Sequence, residues 1–119
     1  MLYYHQMIKG QRLFGNPART RVLLAVGLLQ QTYPREIARV TGLPLMSTQR
    51  IVNDLEKQGV LASRLRGNQR EVRLNPRYFA ERELRGLLSR LAAADTALSR
   101  KIDSMRRRPR RAGKALLPE

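Results

Sequence analysis

The chain has 119 residues, is 42% hydrophobic, and carries a formal net charge of +15 with one histidine and no cysteine. Length and apolar content support one compact domain with a modest core and an appendage. Disulfides, thiolate nucleophiles and Cys-based zinc sites are excluded, and the lone His5 rules out a His-based triad or a multi-His metal site within one chain. No cofactor, metal or catalytic centre is therefore expected. No apolar run approaches the roughly 18 residues of a membrane span, and the start Met1-Leu2-Tyr3-Tyr4 lacks a signal-peptide pattern. A cytoplasmic protein with a polyanionic partner is the expectation that the charge supports.

Residues 1–16 are apolar for a tail, with Leu2, Tyr3, Tyr4, Met7, Ile8, Leu13 and Phe14, and are expected to form a short docking helix that touches a second subunit. Asn16-Pro17 combines an N-cap residue with proline at the first helical position, which predicts a helix to about Gln31. Its Val22, Val26 and Leu29 share a face that Leu24 and Leu28 widen. A second helix begins at Tyr33-Pro34 with Glu36 in its first turn, places Ile37 and Val40 inward, and ends at Gly42. A third runs over 45–58, with Thr48, Val52 and Leu55 inward, and stops before Gly59.

Residues 60–74 read as a hairpin around Gly67-Asn68. Glycine in the first position suits a two-residue type II′ loop, and a longer loop would change the register. The two-residue register pairs Leu61 with Leu74 and Ser63 with Val72 inward, and Arg64 with Glu71 on the outer face. Asn75-Pro76 repeats the earlier cap chemistry and predicts one long helix over 76–105. Leu84, Leu91, Leu98 and Met105 recur at heptad spacing, thickened by Leu87, Leu88, Ala94 and Ile102. The stripe either packs on its own domain or forms a dimer seam; a helix of roughly 28 residues would reach about 40 Å, past the edge of a small domain, so the dimer seam is the expectation. From Arg106 the chain becomes a basic tail, expected to be disordered.

The positive charge is unevenly placed. Residues 17–75 carry +6 and the tail from 106 carries +5, whereas 76–105 carry only +2. A helix-turn-helix followed by a basic hairpin can lay one helix in a DNA major groove and the hairpin beside it. The outward side of the third helix would then hold Leu45, Met46, Ser47, Gln49, Arg50 and Asn53. Gln and Asn pair bidentately with adenine and Arg with guanine, while apolar side chains meet thymine methyls. Arg35 and Lys57 suit phosphate contacts. Arg64, Arg66, Asn68, Gln69 and Arg70 would line a hairpin that enters the minor groove or tracks the backbone.

The residues carry a family resemblance over most of 13–76. The segments are Leu13-Phe14-Gly15-Asn16-Pro17-Ala18-Arg19 with Arg21-Val22-Leu23, Arg35-Glu36-Ile37-Ala38, Gly42-Leu43, Arg50, Leu55-Glu56, Gly59-Val60-Leu61 and Leu74-Asn75-Pro76. In this order they resemble bacterial winged helix-turn-helix regulators of the ArsR type, and the central helices are similar to MarR-type and IclR-type regulators as well. The resemblance implies a homodimer, a palindromic operator and repression. It also implies that Ser47, Gln49, Arg50 and Asn53 sit on the recognition helix and residues 66–70 on the wing. Metal-sensing members carry a Cys-x-Cys pair near the positions of Tyr33 and Arg35, or His and acidic ligands on the last helix. This chain has neither, and its residues identify no effector.

The expectation is thus a mainly α protein with a small β-hairpin wing: an N-terminal segment 1–16, a winged helix-turn-helix over 17–75, a dimerisation helix 76–105 and a tail 106–119. Its expected role is that of a dimeric, sequence-specific regulator on double-stranded DNA. The dimer would be held by Leu84, Leu87, Leu88, Leu91, Leu98 and Ile102. The rival readings are a sequence-independent nucleic-acid protein of nucleoid, plasmid-partition or RNA-binding type, and a winged-helix protein-interaction module.

Overall fold

The computed structural model of the protein describes residues 12–107. Among these residues five helices and a hairpin follow one another: α1 (Pro17–Leu29), α2 (Pro34–Thr41), α3 (Leu45–Lys57), β1 (Leu61–Arg66), β2 (Gln69–Leu74), α4 (Glu81–Ala94) and α5 (Thr96–Arg107). His5 and the basic run from Arg108 onward lie outside the described residues, as does most of the expected docking segment at 1–16.

Helix α1 is the centre of the molecule. Asn16 caps it through its side-chain oxygen, which accepts from the Arg19 amide at 2.8 Å, as the Asn-Pro pair predicts. Val22 to Val26 are all buried, together with Thr20 and Leu29. A helix apolar on every side must be surrounded, and α2, α3, α4, α5 and β2 all pack on it. At Gly27 the packing is so close that a Cβ would lie 2.9 Å from the Cβ of Leu88 on α4.

Helix α1 ends at Leu29, two residues earlier than expected, in a tight turn. Gln30 has φ 71° and ψ −55°, and the Gln31 amide donates back to the Leu29 carbonyl at 2.8 Å. This is the rare, strained form of γ-turn. The turn delivers Thr32 to the edge of the hairpin, where its backbone exchanges hydrogen bonds with Val72 at 2.9 and 2.7 Å.

Helices α2 and α3 form the helix-turn-helix. Thr41 Oγ1 donates to the Ile37 carbonyl and accepts from the Leu43 amide, which shapes the turn around Gly42. The inward side of α3 is Thr48, Val52 and Leu55, all buried. The hairpin has the expected register from Leu61↔Leu74 to Arg66↔Gln69. Gly67 takes φ 64°, whereas Asn68 does not have a positive φ. A positive φ at the first loop position alone is what a II′ turn requires, and glycine meets it without a Cβ clash.

The C-terminal part departs from expectation. Asn75-Pro76 makes a turn rather than a helix start: the Asn75 side chain accepts from the Arg77 amide at 2.9 Å and donates to the Gly59 carbonyl at 2.8 Å. The helix begins only at Glu81, and the expected single helix over 76–105 is broken at Asp95. The Asp95 carboxylate accepts from the Leu98 amide at 3.0 Å, which is N-cap chemistry for a new helix. Helix α5 then folds back onto α1 and α2. Leu88, Leu98 and Ile102 are consequently buried in the protomer's own core, with Leu84, Leu91 and Met105 packed against it. Of the expected seam residues only Leu87, 41% exposed, is open to solvent. The heptad spacing is real, but the break at Asp95 turns it inward.

Candidate nucleic-acid interface

The outer face of α3 carries a single polar stripe. Met46, Gln49, Arg50, Asn53 and Lys57 are exposed and recur at three- and four-residue steps. Met46 is 72% exposed, at the first turn of the helix. Leu45 and Ser47 are half-buried beside it. The N-cap, Pro44, makes no side-chain cap, and no acidic residue stands in the first turn. The first amides of α3 therefore keep their positive end of the helix dipole unneutralised by the chain itself, which favours an approaching anion. Lys57 stands at the opposite, C-terminal end of the helix.

Beside this stripe lies a groove of about 470 Å³ bounded by the start of α2, the start of α3 and the hairpin tip. It brings together six residues singled out from the sequence: Arg35, Leu45, Gln49, Asn68, Gln69 and Arg70. Arg39 joins them, which the sequence reading missed. The signal was present, since Arg39 follows Arg35 by four residues on one helix face.

The hairpin arginines are arranged by two carboxylates. Glu71, nearly fully buried, accepts from Arg64 Nε at 2.8 Å and faces Arg66 Nη1 at 3.5 Å. Both guanidiniums remain about half exposed (side chains 53% and 54%), so the pairing orders them without hiding them. Arg70 is held differently. Its guanidinium reaches Glu56 on α3 at 2.5 Å and Ser63 on β1 at 3.2 Å, and Ser63 donates to the same Glu56 carboxylate. Arg70 therefore clamps the hairpin to α3, more than it projects from it. Nothing local in the sequence signals this clamp, because Glu56 and Arg70 meet only through the fold. Arg19 likewise ties α1 to Asp54 on α3 at 2.5 Å. Leu65, a residue not singled out from the sequence, is 76% exposed because β1 runs beyond the core toward the tip.

No protein-family model matches the chain, and no curated protein matches it. Among solved structures it is similar to a MarR family transcriptional regulator, SPO1453 from Silicibacter pomeroyi DSS-3. The TM-score is 0.56 with 16% identity over 87% of this chain and 69% of that one. The fold is a winged helix. The likeness is to a MarR family protein rather than to the ArsR type that the sequence motifs resemble, and at this identity it establishes the fold, not the family. In this fold α2 and α3 are the helix-turn-helix pair and the β1–β2 hairpin is the wing. None of the described helices is long and apolar enough to cross a membrane.

Proposed function

We propose that this protein is a sequence-specific DNA-binding transcriptional regulator of the cytoplasm, acting as a homodimeric repressor without catalytic activity. Helix α3 reads the major groove and the wing lies on the minor groove or the backbone. The observation that carries this reading is the uncovered stripe from Met46 through Arg50 to Lys57 beside an arginine-bearing wing, in a chain of net charge +15. Arg50 and Asn53 are the base-reading residues, Met46 supplies apolar contact to thymine methyls, and Arg35, Arg39 and Lys57 hold phosphates. The SPO1453 likeness supports the reading at the level of a shared winged helix. Self-pairing would use surface other than the buried leucines, with Leu87 and the segment before Arg12 as its candidates.

Selection from random duplex oligonucleotides with purified protein tests this directly. An enriched motif whose binding weakens in Arg50→Ala, more than binding to random DNA does, supports base reading. Equal loss on both would sink it. The second reading, sequence-independent nucleic-acid binding, is favoured by the basic run from Arg106 and by the half-exposed guanidiniums of Arg64 and Arg66 on the wing. Removing residues 108–119 separates the two. A regulator keeps its sequence preference, whereas the alternative loses most binding and most of its salt dependence.

A further inference from the structure

A second cavity, of about 440 Å³, opens where the end of α1, the base of β2, the start of α4 and the end of α5 meet. Among the described residues none that lines it belongs to α3 or to the wing tip, and none is acidic. Three arginines from three elements line it: Arg73 on β2, Arg85 on α4 and Arg106 on α5. Like charges gathered in one concavity repel, so the arrangement calls for a counter-charge.

The protein supplies little of it. Arg73 is half-buried and has no ion-pair partner among the described residues. Arg106 meets Glu36 only at 3.8 Å. Arg85 pairs with the half-buried Glu81 one helical turn away, and its own side chain stays 66% exposed. The strained turn at Gln30 forms part of the same wall, with Gln31 beside it. Non-glycine backbone held in such a sparsely populated region concentrates at ligand sites, where the surrounding structure maintains it. The remaining wall is apolar, with Leu29, Leu74 and Pro76.

We propose that this cavity binds a small organic phosphate. Guanidinium forks match phosphate oxygens bidentately, and three of them offer more donors than one carboxylate can accept. A phosphate monoester presents close to two charges and three strong acceptor oxygens. The two glutamines bond to polar substituents, and the apolar wall takes the organic body. A volume of this size holds a small molecule with a polar anchor. The concave, partly apolar wall favours a free small molecule over the phosphate backbone of a duplex. This inference does not rest on the DNA-binding reading and survives its failure.

The test is calorimetric titration of the full chain with inorganic phosphate and with phenyl phosphate, at ionic strength fixed by sodium chloride. One saturable site per chain is expected, tighter for phenyl phosphate because its ring uses the apolar wall. Arg73→Gln and Arg106→Gln should each weaken binding roughly tenfold or more, the loss of a charge-assisted hydrogen bond. Arg82→Gln and Arg100→Gln remove the same charge from exposed positions outside the cavity and should change it less than about twofold. Equal losses in all four variants, or no saturable site in the unmodified chain, would overturn the proposal. So would displacement of phenyl phosphate by a short duplex whose own affinity falls in Arg73→Gln, because the cavity would then be a backbone contact.

Discussion

Helix α3 and the α4–α5 pair carry equally clear amphipathic patterns, yet the molecule uses them in opposite ways. On α3 the apolar side is narrow and meets the core through Thr48, Val52 and Leu55, which leaves a whole polar flank uncovered. On α4 and α5 the leucine stripe is wider than one surface needs, and the reversal at Asp95 lets both halves cover α1. A heptad repeat is thus a statement about which side must be buried, not about what buries it. Helices joined by a capped break can satisfy each other's environment inside one protomer, where an unbroken helix would require a partner.

The sharpest way to break this contrast is Leu88→Ala. Leu88 is completely buried against α1, so truncation should cost about 2–5 kcal/mol and lower Tm by the same amount at every protein concentration. A Tm loss that vanishes at high concentration would restore the dimer seam. Next in size is Arg50→Ala, which should leave Tm unchanged but cost about 1–3 kcal/mol of discrimination at one base pair, read by competition gel shift. Asp95→Ala removes the cap that divides α4 from α5, and a loss of about 1 kcal/mol is expected in denaturant unfolding. An increase in stability there would mean that the break is imposed by packing rather than by the cap. Smallest is Leu87→Ala, one residue from Leu88 but 41% exposed. It should shift monomer stability by no more than about 0.5 kcal/mol, and a larger effect that depends on concentration would mark Leu87 as an oligomer contact.

The two Asn-Pro pairs show where local signals hold. Asn16-Pro17 starts a helix because Thr20 and the uninterrupted buried run Val22 to Val26 follow within two turns. Asn75-Pro76 has the same cap chemistry, but the Asn75 amide group donates to Gly59 across the end of the hairpin, and the chain turns before helix α4 begins. The Asn75 side chain makes both contacts at once, accepting from Arg77 and donating to Gly59, and the contact distant in sequence ties this turn to the hairpin end. The Arg35-Arg39 spacing was legible in the same local sense, whereas the Glu56–Arg70 clamp was not.

Periodicity, turn chemistry and charge by themselves determined the helix-turn-helix and the outward stripe on α3 and pointed to the II′ hairpin register over a longer loop, because each depends on residues only a few positions apart. Tertiary structure alone decided that the leucines of α4 and α5 close on α1, that Glu56 and Glu71 organise the wing arginines, and that Arg73, Arg85 and Arg106 share one cavity. Those arrangements depend on the direction in which the chain returns after Asp95 and after the Gln30 turn. That direction is set by the burial of side chains far apart in sequence, which no local pattern encodes.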